Sequence, residues 1–429
     1  MKLKYALYIL LFSGIIGLSS CNWFDKEDDL TETQDLNKFI FEVMKEQSWY
    51  YWYDMVPELE PLDYADSYQY LEELKYKELD DWSYLTTIEE YNAHYVYAVY
   101  YGHGFAYKFD ESGKMRISFV YANSPIAQLG VQRGWEIIAV NATSVPDIVS
   151  QNLLATIFGP SQAGYTNHIK IVNLQQDTLE FDVQKTEVSQ NTVLYKNVYE
   201  YAGGKTGYLV FKSFIEPSIA ELKTAFTYFQ SENINNLVLD LRYNGGGLMS
   251  VANYLASAIG GTNVTNKVFV KFSHNNTKTG NDFQNLFSTP DVPLNINKLV
   301  VIATSSTASA SEAVINGLMP FMEVKVVGGN THGKPVGMYS FEHGNYKLVP
   351  ICFKLTNSRD YGDYFDGLPA DALRADDLSK DWGNKEEASL KEALYYIENG
   401  FFSNQLPVKS NPNLPKMPLK GLKAEIGAI

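Results

Sequence analysis

One stretch constrains this chain more than any other. A six-residue run, Lys298-Leu-Val-Val-Ile-Ala303, is followed by Thr307-Ala-Ser-Ala-Ser-Glu312 and then by the apolar stretch Ala313-Val-Ile-Asn-Gly-Leu-Met319. The first run is short, β-branched and without polar alternation, the pattern of a strand covered on both faces. The second reads as a helix. A strand of that kind needs neighbouring strands and covering helices, so the junction implies a layered α/β core. The hydroxyl-rich link falls at the helix start, where backbone N–H groups have no partner within the helix. Ser309 and Glu312 have the S-x-x-E spacing of a capping box. The same place suits a rigidly held serine nucleophile, and at this point the residues leave both roles open.

The α/β alternation extends around this junction. Strands are expected at 206–211, 236–242, 324–328 and 346–355, and helices at 217–232, 249–259 and 386–398. The polar segment 271–291 reads as a surface insertion. Upstream, Leu36, Phe39, Ile40 and Val43 fall on one helical face, a second helix is expected around 67–74, and Trp49, Tyr50, Tyr51, Trp52 and Tyr53 read as core packing. From Gln405 the chain reads as a loosely packed tail. A hydrophobic content of 45% with 20% charged residues is that of a globular chain, and a net charge of −15 excludes nucleic acid as a partner.

The N-terminus carries Lys2 and Lys4, then an apolar stretch from Tyr5 to Leu18 that is too short to span a membrane. Leu18-Ser-Ser-Cys21 resembles the lipobox of bacterial lipoproteins. That resemblance implies a signal peptide over 1–20, lipidation of Cys21, and a cell-envelope lipoprotein held to a membrane, the outer one, facing the periplasm or the exterior. An acidic tether follows over 21–30; it is either a plain linker or an export signal. Cys21 and Cys352 are the two cysteines, so acylation of the first leaves the second without a disulfide partner.

A serine needs a base to attack a carbonyl at neutral pH. None of the six histidines sits beside an aspartate in a recognisable triad pattern, and the G-x-S-x-G elbow is absent. A lysine kept neutral by burial is the other option. Lys334 fits, delivered by the strand at 324–328 and the glycine turn ending at Gly333. Gly328-x-x-x-x-Gly333-Lys334 mimics a nucleotide-binding loop, but Pro335 stands where Mg²⁺ binding needs Ser or Thr.

Gly102-His103-Gly104-Phe105, followed by Ser124–Gly130 and Gly134–Asn141, resembles a PDZ domain of the bacterial protease type. The resemblance implies a loop whose inward amides hold a C-terminal carboxylate while the peptide adds as a strand. Further on, Asp240-Leu-Arg-Tyr-Asn-Gly-Gly-Gly247, Thr307-Ala-Ser-Ala-Ser-Glu312 and Gly333-Lys334 resemble, in this order and spacing, the carboxyl-terminal processing (tail-specific) serine proteases. This family resemblance implies Ser309, not Ser311, as nucleophile and Lys334 as base. It implies an oxyanion hole from the Ala310 amide and that of Gly246 or Gly247, with no metal or cofactor. Substrates would be proteins or peptides taken by their C-termini. The expected fold class is α+β multidomain: a helical aromatic-rich region over 31–92, a PDZ-like β-domain over 93–190, an α/β crotonase/ClpP-like Ser-Lys protease core over 191–402, and a tail over 403–429. Two positions depart from the family: Met338 stands where many members have Gln, and Pro320 where many have an acid. Met338 and the aromatic surplus keep a second reading open, a weak or inactive peptide- or glycan-binding surface lipoprotein on the same scaffold. A third, thioester chemistry on a crotonase-type fold, leaves the PDZ-like segment unexplained.

Overall fold

The computed structural model describes residues 30–50, 57–404, 406, 411–416, 422 and 427–429. The expected signal peptide, Cys21, nearly all of the acidic tether, and Tyr51, Trp52 and Tyr53 lie outside the described residues.

Lys298–Ala303 is the fourth strand of a six-stranded sheet. Val193–Tyr201 runs antiparallel to Gly204–Phe211; from there Asn236–Asp240, Lys298–Ala303, Glu323–Gly328 and Ala372–Leu373 add in parallel. Its side chains serve both faces. Leu299, Val301 and Ala303 pack among helices Ser218–Ser231, Met249–Gly260 and Ala310–Leu318, while Val300 and Ile302 pack with helix Ala388–Asn399. Each such aliphatic side chain, once fully buried, contributes roughly 1.5–3 kcal/mol, which explains the unbroken apolar run.

Segment 271–291 differs from the surface insertion expected. Val268–His274 pairs antiparallel with Phe283–Leu286 and with Ile351–Thr356, and Phe269, Phe272 and Phe287 enter the main core. Those phenylalanines outweigh the polar composition around them. The single strand expected over 346–355 is two. Pro350 has no N–H for a ladder; Tyr346–Val349 pairs with Tyr84–Thr87 and Phe341–His343, and Ile351–Thr356 passes to a second sheet beside Val336–Met338.

The N-terminal helices Glu32–Gln47, capped by Thr31 and Gln34, and Ser67–Leu74 do not form a core of their own. Leu36, Ile40, Met44, Tyr70 and Leu71 share one cluster with Val336, Leu348 and Ile351, so this region covers the strands that follow Lys334. Between it and the main sheet in sequence comes an antiparallel β-domain: Phe105–Phe109, Met115–Val120, Glu136–Val140, Thr166–Val172 and Thr178–Gln184 around Phe105, Ile117, Ile137 and Ile169. Among the described residues, no helix is long and apolar enough to cross a membrane.

Buried charge joins the β-domain to the main sheet. Arg133 donates to Ser118 O (2.7 Å), Tyr243 OH (2.6 Å) and Asp376 Oδ1 (2.7 Å), and Arg242 bonds Asp240, Asp376 and Glu387. Burial alone would raise the Asp376 carboxyl; the Arg133 and Arg242 charges outweigh it and hold it far below the usual range.

Candidate active site

Ser309 stands where the parallel strand hands over to its helix, at φ 56°, ψ −115°. A non-glycine residue held there is strained, and such strain survives only where the surroundings enforce it. The enforcing group is the fully buried Glu312. Its Oε2 accepts the N–H of Ser309 (2.9 Å) and that of Lys334 (2.8 Å); its Oε1 accepts the N–H of Gly333 (2.7 Å) and the hydroxyl of Thr331 (2.6 Å). The glutamate read as half of a capping box therefore also ties the serine turn to the lysine turn. Burial raises its carboxyl above the ordinary value, and the four hydrogen bonds work against that shift.

Ser311 has a different task. Its hydroxyl donates to Asn244 O (3.0 Å), and Ala308 N–H reaches the same carbonyl (3.1 Å). The second serine of the motif thus anchors the glycine turn. Asn244 also sends Nδ2 to Phe211 O (3.0 Å) and accepts the Gly246 N–H on Oδ1 (2.9 Å). In this arrangement the Gly246 amide is bonded to the Asn244 side chain. What Gly246 supplies is space: at φ 107°, an added Cβ would lie 2.8 Å from Ser309 Cβ and 3.0 Å from the Ala310 N. Gly247 is equally closed to a side chain, since a Cβ would fall 2.2 Å from Phe214 O.

Lys334 is buried, and its Nζ donates to Met338 Sδ at 3.3 Å. The thioether therefore occupies the acceptor position beside the amine, as a weaker partner than a carboxamide. The ring of Trp82 lies 5.5 Å from the same Nζ, and Trp82 Nε1–H donates to His332 Nε2 (3.2 Å) while His332 Nδ1 meets Ser305 O (3.1 Å). Both nitrogens of His332 are engaged, which removes the one histidine in this region as a base. His168, His274 and His343 pair with Asp182, Asp282 and Asp35 instead.

Two residues, Asn244 and Trp82, and the second role of Glu312 escaped the sequence reading. An Asn ahead of a glycine turn is a recognised turn signal and could have been found. Nothing local announces Trp82.

The loop Gly102-His103-Gly104-Phe105 lies at the edge of the β-domain, and its amides face Ile429. The N–H groups of His103 and Gly104 both donate to Ile429 O at 2.8 Å, and Ile429 N–H donates to Phe105 O at 2.7 Å. Neither ring nitrogen of the buried His103 has a partner; burial, then the nearby Lys185, pushes its pKa down to about 3. The imidazole is a neutral wall of the loop.

Two family models match the chain: the peptidase S41 N-terminal domain over residues 35–84 and peptidase family S41 over 205–362, the latter spanning the glycine turn, Ser309 and Lys334. The carboxy-terminal processing protease CtpB of Bacillus subtilis is 25% identical over 225 residues, 52% of this chain and 45% of CtpB. A carboxyl-terminal-processing protease of Picosynechococcus is 26% identical over 223 residues, 51% of this chain and 50% of its own. The chain spans about half the length of the curated relatives it matches. In fold it is similar to a Bacteroides fragilis protein assigned to the S41 proteases (TM-score 0.67, 22% identity, 85% of this chain and 98% of that one). It is also similar to a photosystem II D1 C-terminal processing protease (TM-score 0.50, 16% identity, 81% and 94%). The two S41 models match in order, the larger of them around the glycine turn, the strained serine and the lysine, so the chain carries the domains of peptidase family S41, and the curated relatives it resembles are carboxyl-terminal processing serine proteases.

Proposed function

We propose that this chain is a lipid-anchored serine endopeptidase in which Ser309 is the nucleophile and Lys334 its base. The observation that carries the reading is the pair of amides, Ser309 and Lys334, converging on one oxygen of Glu312 while Ser309 is held at positive φ. Neutral Lys334 takes the hydroxyl proton as Ser309 Oγ attacks the peptide carbonyl. The oxyanion is received by the Ala310 N–H and the Gly247 N–H, each such donor being worth about 3 kcal/mol. Gly247 is preferred to Gly246 because the latter's amide is bonded to Asn244. The tetrahedral intermediate expels the amine, which takes its proton from Lys334. Lys334 then removes a proton from water, and the hydroxide cleaves the acyl-enzyme.

In the same reading the β-domain is a PDZ-like unit whose 102–105 loop receives substrate C-termini, and the core is of the crotonase/ClpP type. Cys21 carries the lipid and places the enzyme in the cell envelope, at the outer membrane. Ser309→Ala and Lys334→Ala, assayed beside wild type on an unfolded protein with an apolar C-terminus, test the dyad: both are expected to abolish cleavage. Mutants that cleave as well as wild type would overturn it. Retained peptide binding with no turnover, and no labelling of Ser309 by an acylating probe, would instead support the binding-protein reading motivated by Met338.

A further inference from the structure

The 102–105 loop is filled by this chain itself. His103 and Gly104 amides hold the carbonyl of Ile429, and the return bond from Ile429 N–H to Phe105 O makes the last residue an added strand segment. The Ile429 side chain packs against the β-domain core that contains Phe105 and Phe158, and Ala428 packs against the cluster holding Phe119, Tyr121 and Tyr243. The fit extends to the backbone: a Cβ on Gly102 would lie 2.8 Å from the Ile429 carbonyl carbon.

A second observation lies away from the loop. Leu422 packs on the cluster of Tyr95, Ala98 and Ile215, as does Leu248, the neighbour of Gly247. Leu422 therefore lies at the flank of the glycine turn and Gly427–Ile429 at the loop, two places that a substrate reaching from the loop to the turn would also touch. Further back, Leu414 joins Ile429 against the β-domain core, and Asn411 N–H donates to the Glu111 carboxylate. These are not the contacts of the loose tail that its composition suggested.

We propose that Gly427–Ile429 is an internal ligand of the 102–105 loop, and that a substrate C-terminus must displace it before it can be held. This rests on reading the loop as the receptor for substrate C-termini. A covalently attached ligand competes at a high effective concentration, so the apparent affinity for any free peptide falls by the fraction of time the loop is open. An aliphatic residue after a small one, as in Ala428-Ile429, is the preference the loop would show toward the C-termini of other chains.

The test is run in the full chain carrying Ser309→Ala, so that cleavage does not enter. The probe is a fluorescent Lys-Ala-Glu-Ile-Gly-Ala-Ile peptide, a copy of residues 423–429, with a free C-terminal carboxylate; its C-terminal amide is the control. Binding by anisotropy is compared in the intact chain, in a chain lacking 417–429, and in Ile429→Asp, which keeps the length. The truncated chain is expected to bind the acid peptide at least tenfold more tightly than the intact one. Ile429→Asp should shift in the same direction, and the amide should bind at least tenfold more weakly than the acid. Equal affinity in all three chains, with matching circular dichroism, overturns the proposal. Competition that appears only as protein concentration rises also overturns it, in favour of a tail supplied by a second copy. If wild type never cleaves but the tenfold shift is found, the protease reading falls and the internal ligand stands.

Discussion

Glu312→Gln isolates the carboxylate that joins the two turns. In the wild type one oxygen takes the Ser309 and Lys334 amides and the other takes the Gly333 amide and the Thr331 hydroxyl. A carboxamide keeps one oxygen. It will point that oxygen at Ser309 and Lys334, because the Thr331 hydroxyl can rotate and accept from the new NH₂ whereas the Gly333 N–H can only donate. One buried donor is then left facing another donor, at a cost of about 1–3 kcal/mol. The two retained bonds lose charge assistance, about 1 kcal/mol each, while removal of a buried charge returns part of this. The balance is a destabilisation of about 2 kcal/mol. The larger effect falls on turnover: the Gly333–Lys334 turn loses one of its fastenings, and a displacement near 1 Å costs about 100-fold. The expected result is a 10- to 100-fold fall in the rate of Ser309 acylation by a fluorophosphonate probe, with KM for peptide little changed and a modestly lower urea midpoint. A variant that loses stability but acylates at the wild-type rate would refute the linkage and leave Glu312 as a structural residue only.

Gly246→Ala should cut acylation by more than 100-fold in a folded chain, because its methyl would meet Ser309 Cβ at 2.8 Å; a rate within tenfold of wild type would show that the turn yields. Met338→Gln supplies Lys334 Nζ with a stronger acceptor for its charged form, so the acid limb of the acylation pH profile should move to higher pH; an unshifted limb means the side chain at 338 does not govern the amine. Asp376→Asn should destabilise by about 3–5 kcal/mol, since it leaves the buried Arg133 without its carboxylate and takes one of three from Arg242, which keeps Asp240 and Glu387. Because the folded Asp376 carboxyl is held below its unfolded value near 4, its stabilisation is complete above that pH and is lost as pH falls further. A wild-type urea midpoint that is flat below pH 4, or one that falls as steeply in Asp376→Asn, would contradict this.

Much of the candidate site was legible because its parts are local. A strand that buries both faces must be apolar throughout, a helix start invites Ser and Glu three apart, and inward-facing amides need glycines; hence Lys298–Ala303, Ser309 with Glu312, and Gly102-His103-Gly104-Phe105 could be read in place. Composition misled where a few buried aromatics outweighed many polar neighbours, as at 268–287. Pro350 could have marked the change of sheet, but a continuous apolar run hid it.

Residue types and short spacings by themselves marked most of the strands and helices, a serine at a helix start and a lysine after a glycine turn; the family resemblance, not spacing, singled out Ser309, Lys334 and the 102–105 loop. The elements and turns depend on sterics and hydrogen bonds within a few residues. Only the tertiary structure decided that Ser309 sits at positive φ, that Glu312 spans two turns, that Trp82 reaches His332 and Lys334 from 250 positions away, and that Ile429 lies in the 102–105 loop. Those contacts join segments far apart in the chain, and which distant surfaces meet is set by the burial of the whole core rather than by any residue's neighbours in sequence.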